Sequence, residues 1–83
     1  MNITLKLYAA LGDFLPPEAH ENTIKVDVPD GATISDILTG HQVPLESCHL
    51  ILINGHYHHR EAAGTTALAP GDTLAVWPPI AGG

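Results

Sequence analysis

The chain is poor in the residues from which an enzyme site is usually assembled. It holds one cysteine, Cys48, in 83 residues. That excludes an intrachain disulfide, and neither Cys-x-x-Cys nor the paired Cys/His spacing of a structural zinc site occurs. A lone thiol favours a reducing compartment, and a cytoplasmic location is the expectation. Basic residues number three, Lys6, Lys25 and Arg60, against nine acidic ones, for a formal net charge of -6. Without a basic cluster there is no electrostatic footprint for nucleic acid or for an anionic membrane. The acidic balance suits simple solubility or a partner with a basic face. No basic-then-apolar leader opens the sequence, and its apolar runs fall far short of the ~20 residues that cross a bilayer. No repeat, low-complexity tract or linker divides it. A chain of this length makes one small domain with one core and little room for an enclosed active site, so any chemistry is expected to be completed by a partner.

What is present is a clear alternation of patterns. Ile3, Leu5 and Leu7 alternate with Thr4, Lys6 and Tyr8, the period of a half-buried strand. Ala9 to Leu15 suits a helical turn stopped by Pro16-Pro17. Ile24, Val26 and Val28 alternate with Lys25 and Asp27 and run into the turn signal Pro29-Asp30-Gly31, which predicts a second strand antiparallel to the first. Thr33 then stands where a helix cap belongs, with Asp36 in the first turn, Ile34, Ile37 and Leu38 on one helical face, and Gly40 as a stop. The helix is expected near residues 33 to 39. Leu50-Ile51-Leu52-Ile53 reads as a strand buried on both faces. Asn54-Gly55 is a hairpin turn that brings Tyr57 back alongside. Pro70-Gly71-Asp72 turns the chain into a last strand, Thr73 to Trp77. Two strands, a helix, then further strands is an α+β order.

Past Trp77 the character changes. Pro78, Pro79, Ile80, Ala81, Gly82 and Gly83 carry no charge. Two prolines cannot continue a hydrogen-bonded strand, so they release the chain from the sheet and keep it extended. Glycine has no Cβ, so Gly82 and Gly83 pass through a channel too narrow for any other residue. Fully extended, the six residues reach roughly 20 Å beyond the fold. The expectation is a domain over residues 1 to 77 and a flexible tail over 78 to 83 that threads into a partner. Gly-Gly alone carries little weight, since about one chain in 200 would end so by chance. Trp77 suits either strand-end packing or anchorage of a partner.

These segments carry a resemblance. Gly71-Asp72-Thr73-Leu74-Ala75-Val76-Trp77-Pro78-Pro79-Ile80-Ala81-Gly82-Gly83 resembles the end of the ubiquitin-like sulfur carriers of the MoaD/ThiS family: Gly-Asp, an apolar strand, an aromatic, Pro-Pro, an aliphatic, a small residue and Gly-Gly. Ile3-Thr4-Leu5-Lys6-Leu7-Tyr8-Ala9, Val28-Pro29-Asp30-Gly31-Ala32-Thr33-Ile34 and Leu52-Ile53-Asn54-Gly55 support it, so the match spans nearly the whole chain. The aromatic-Pro-Pro ending is most similar to the small subunit of molybdopterin synthase. The resemblance implies a β-grasp (ubiquitin-like) fold, a mixed sheet packed on one main helix, with the last strand central and parallel to the first. It also implies a function without a catalytic constellation or a bound cofactor of its own. A partner adenylating enzyme uses ATP to convert the Gly83 carboxylate to an acyl-adenylate, a sulfur donor replaces AMP to leave a thiocarboxylate, and the large subunit of molybdopterin synthase takes the sulfur from the inserted tail. Trp77 to Gly82 are then the partner-binding tail. Thiazole synthesis, a tungsten-cofactor pathway and tRNA thiolation are the alternative destinations of the sulfur. A ubiquitin-like modifier, joining Gly83 to lysines, needs the same free Gly-Gly terminus.

Two further groups call for a reading. His56, His58 and His59, with His49 nearby, would need His49 or Glu46 in the correct geometry to hold a metal. Alternation sends His56 and His58 to one face and His59 to the other, so exposed turn histidines and no resident metal are expected. Cys48 has no neighbour in sequence that would activate a thiol, and is expected to be buried filler.

Overall fold

The structure is a computed structural model that describes residues 1 to 79. β1 (Asn2–Leu7) buries Ile3, Leu5 and Leu7 on one face, as the alternation requires. A 3₁₀ turn over Ala9–Phe14 follows. β2 (Thr23–Asp27) returns antiparallel to β1, pairing Leu5 with Ile24 and Ile3 with Val26. α1 (Ile34–Gly40) buries Ile34, Ile37 and Leu38. Its start is a capping box: the Thr33 hydroxyl accepts from the Asp36 N–H at 3.1 Å, and the Asp36 carboxylate accepts from the Thr33 N–H at 3.0 Å. Gly40 is the last helical residue rather than the stop. The chain turns at Gln42, whose φ is +64°.

β3 (Leu50–Ile53) and β4 (His56–His58) form a hairpin through Asn54 and Gly55, both at positive φ (51° and 83°), the requirement of a type I′ turn. β5 (Thr73–Trp77) enters through Pro70 and Gly71, where Asp72 N–H donates to Ala69 O at 3.1 Å and Gly71 takes φ +83°, the conformation that favours glycine at the third place of a type II turn. The five-stranded sheet has the order β2-β1-β5-β3-β4, with β5 parallel to β1 and antiparallel to β3. This is the β-grasp arrangement: a mixed sheet packed on one main helix.

One core lies between α1 and the sheet, with Leu5, Leu7, Ile34, Leu38, Ile51, Leu74 and Val76 fully buried. Among the described residues no buried side chain is charged or polar. The expectation for β3 needs correction. Only Ile51 and Ile53 are buried, while Leu50 and Leu52 are half-exposed. The helix covers one face of the sheet, so the continuous apolar run of β3 supplies the core with alternate residues and leaves the rest on an open face. No helix among the described residues is long and apolar enough to cross a membrane.

Candidate functional site

The site grows from the central position of β5. β1 and β3 both pair with this strand, so its backbone is held on two sides to the last residue. On the side of β1, Tyr8 N–H donates to Val76 O at 3.1 Å; on the side of β3, His49 N–H donates to Trp77 O at 2.8 Å. Pro78 and Pro79 come next, outside the strand, the first half-buried and the second exposed. Neither has an N–H to extend the ladder. The sheet therefore delivers the chain to one fixed exit point and stops there.

Strand register determines what surrounds that exit. Leu74 and Val76 point into the core, which turns the half-buried Thr73 and Trp77 to the opposite face, with Ala75 buried between the neighbours of that face. Ala75 lies opposite Lys6 on one side and Leu52 on the other, and Leu52 lies opposite Tyr57. Trp77 lies opposite Leu50 and stacks on Tyr8, with ring centroids 4.4 Å apart and planes 10° from parallel. The result is an apolar strip across the open face, ending in an aromatic pair at the root of the tail. Tyr57 is 53% exposed within it. Exposed apolar surface rimmed by polar groups is what an interaction site presents.

Trp77 closes the end of the strand, as the packing reading expects, and is half-buried there. Its partner Tyr8 was not among the expected site residues. The signal was present, since Tyr8 continues the outward row Thr4-Lys6-Tyr8 and a parallel pairing of first and last strands brings that row beside Trp77. Ile80, Ala81, Gly82 and Gly83, the other expected site residues, lie outside the described residues.

The remaining candidates are Cys48 and the histidines. Cys48 is buried, its thiol donates to Pro44 O at 3.5 Å, and burial pushes its pKa up, with the Arg60 charge opposing only in part. A thiol raised in this way is a packing group and not a nucleophile. His56 and His58 pair with Ile53 and Ile51 and so share the helix-side face, while His59 stands beside Tyr57 with ring centroids 5.0 Å apart. Among the described residues no three His, Cys, Asp or Glu side chains gather as a metal site would require.

Comparison with known proteins agrees with this geometry. The model of a family described as Mut7-C ubiquitin matches residues 1–81. No curated protein matches. Among solved structures the chain is similar to SAMP1 from Haloferax volcanii, at 30% identity over 100% of both chains with a TM-score of 0.66. It is also similar to H. volcanii small archaeal modifier protein 1, at 31% identity over 95% of this chain and 98% of that one with a TM-score of 0.67. The complex of subunits 1 and 2 of the molybdopterin-converting factor of Helicobacter pylori contains a chain alike in fold, at 19% identity over 100% of both chains and a TM-score of 0.58. The resemblance to ubiquitin-like carriers thus holds for the fold, and the chain belongs to the Mut7-C ubiquitin family.

Proposed function

We propose that this chain is a ubiquitin-like carrier whose Gly83 carboxylate is activated by a partner enzyme and delivered, at the end of a thin tail, to a second protein. The observation that carries the reading is the exit of β5. A central strand pinned on both sides ends in the Tyr8–Trp77 stack, and Pro78 and Pro79 then leave the sheet toward Ile80-Ala81-Gly82-Gly83. A firm root with a slim, uncharged continuation suits insertion into another protein's active site, because orientation supplied by the root lowers the entropy lost on reaching the reacting groups. The domain is residues 1 to 77 and the tail residues 78 to 83. The chain acts as co-substrate, not as the enzyme.

The chemistry follows from the poor reactivity of a carboxylate. One Gly83 oxygen attacks the α-phosphate of ATP, pyrophosphate leaves, and the acyl-adenylate that forms is a good electrophile. A sulfur donor then attacks the carbonyl carbon and AMP departs. With a persulfide as donor the product is an acyl disulfide; a thiol reductant cleaves its S–S bond, forming a disulfide with the donor's remaining sulfur and leaving Gly83 as a thiocarboxylate. That sulfur is nucleophilic and tethered, so it reaches its acceptor without diffusing as sulfide. The aromatic-Pro-Pro-aliphatic-small-Gly-Gly ending favours molybdopterin synthesis as the destination, with the large subunit of molybdopterin synthase as acceptor. A second reading is supported by the similarity, at 30% identity or more, to small archaeal modifier protein 1. In that reading a lysine amine of a target protein attacks the adenylate, releasing AMP and leaving an isopeptide bond.

One experiment tests both. The purified chain, ending at Gly83, is incubated with the ubiquitin-activating-like enzyme of its own organism, ATP and a sulfur donor, and its C-terminal peptide is examined by mass spectrometry. Replacement of one oxygen by sulfur at Gly83 is the expected result. Gly83-linked lysine conjugates without any thiocarboxylate would establish the modifier reading, and absence of both would refute activation.

A further inference from the structure

Next to the tail root lies a shallow cleft of about 190 Å³, lined by Cys48, His49, Tyr57, His59, Arg60 and Glu61. It opens beside the last ladder bond of β5, since His49 is the residue whose N–H holds Trp77 O. Three nitrogen-bearing side chains meet there, in a chain with only three lysines and arginines in all. Arg60 is already aimed: its Nη1 donates to Leu45 O at 3.4 Å and Glu46 O at 3.2 Å. That leaves Nε and Nη2, on the other edge of the planar guanidinium, as further donors. Tyr57 Oη lies 3.4 Å from His59 Nδ1, which orders the opposite wall. A protein seated on the tail root therefore meets a donor-lined cleft on the side of β3.

We propose that this cleft receives a carboxylate side chain of the enzyme that activates the tail. Naming that occupant rests on the functional reading above. Net charge alone argues for a basic partner; the local arrangement argues that the partner is acidic at this one point, so that it seats in a single orientation. Arg60 offers the forked geometry that a carboxylate matches. Glu61 stands on the same rim, 4.0 Å from His59 Nδ1, and opposes a second carboxylate. The contact is consequently weak and quickly broken, as a carrier that must leave its activator for an acceptor requires.

The two charged residues of the cleft give signatures of opposite sign. Activation kinetics are measured with the full chain, the adenylating enzyme of the same organism and ATP. Arg60→Glu should raise the KM for the chain about tenfold with kcat little changed, as loss of a rim charge pair does, and Glu61→Gln should lower it about twofold. Lys25→Glu, the same charge change on the far edge strand β2, is the control. Glu61→Gln removes no backbone bond, so it keeps the test valid if Arg60→Glu loosens the Leu45–Glu46 turn. An unchanged KM in both cleft variants, or a lower one for Arg60→Glu, would overturn the inference while leaving activation standing. A second arm does not pass through the functional reading. Sodium acetate added to the ¹⁵N-labelled chain should shift the His49, His59 and Arg60 signals to saturation, sodium chloride at equal ionic strength should not, and Arg60→Ala should abolish the effect. Equal shifts with both salts would show that the cleft takes no carboxylate. Should the enzyme fail to activate the wild-type chain, the functional reading falls and the acetate arm decides the cleft alone.

Discussion

At the scale of single residues, the Tyr8–Trp77 pair concentrates what is specific about the exit of β5. The two side chains are distant in sequence and meet only because β1 and β5 run parallel. Stacked aromatic pairs contribute about 0.5–1.5 kcal/mol beyond their area. A double-mutant cycle of Tyr8→Ala and Trp77→Ala, followed by urea unfolding, should return a coupling in that range, and additive effects would show that the stack does not hold the root. A second residue-scale prediction concerns Met1. Its ammonium donates to Val28 O at 2.6 Å and lies 3.2 Å from Asp27 Oδ1 and 3.5 Å from Asp30 Oδ1. The hydrogen bond to Asp27 is the main cause that holds its pKa above the ordinary 8.0, against a smaller opposing effect of desolvation. A cation whose folded pKa is raised stabilises the fold fully below its unfolded value, and that stability is lost as pH rises through the folded value. The stability difference between a chain with a free Met1 amine and an N-acetylated one should therefore be largest below pH 8 and shrink above it. A difference that grows with pH would contradict the assignment.

At the scale of elements, α1 is short, seven residues, and depends on its start. Few residues share the cost of nucleation, so loss of the capping box should be felt by the whole domain. Thr33→Ala should cost about 1 kcal/mol in urea unfolding, with Thr33→Ser close to neutral. Most elements were legible because each has a local cause. Leu5 and Leu7 alternate with polar residues, Thr33 and Asp36 announce a helix start, and Asn54-Gly55 and Pro70-Gly71 force turns. What escaped was set by the partner of an element, not by its own residues. The run Leu50-Ile51-Leu52-Ile53 is apolar throughout, and only the presence of a helix on one face of the sheet decides that Leu50 and Leu52 stay half-exposed. The same holds for the site. Trp77, Pro78 and Pro79 were readable as an exit because prolines end a strand by their chemistry. Tyr8 was legible only in combination, since its role needs both the outward row of β1 and the parallel pairing of β1 with β5. The cleft at Arg60 was still less visible, being assembled from the start of β3 and the end of β4.

At the scale of the whole molecule, the order β2-β1-β5-β3-β4 places the tail-bearing strand where the sheet is firmest. Leu74 and Val76, fully buried in that strand, should show the slowest amide exchange, and Thr23 to Asp27 and His56 to His58, on the two edges, faster exchange. This arrangement makes the fold and the proposed reaction separable. Truncation after Pro79 keeps every strand and helix and every core member among the described residues. Such a chain should melt at the temperature of the full chain and keep its exchange pattern in β5, yet accept neither adenylate nor sulfur. Deleting Gly83 alone, or following it with a tag that stays attached, should have the same chemical effect, because the reacting carboxylate is then moved or blocked. A truncated chain that melts lower would show that the tail belongs to the fold and would end the division at residue 77. A tagged chain that is fully activated while its tag is retained would end the assignment of the reaction to Gly83.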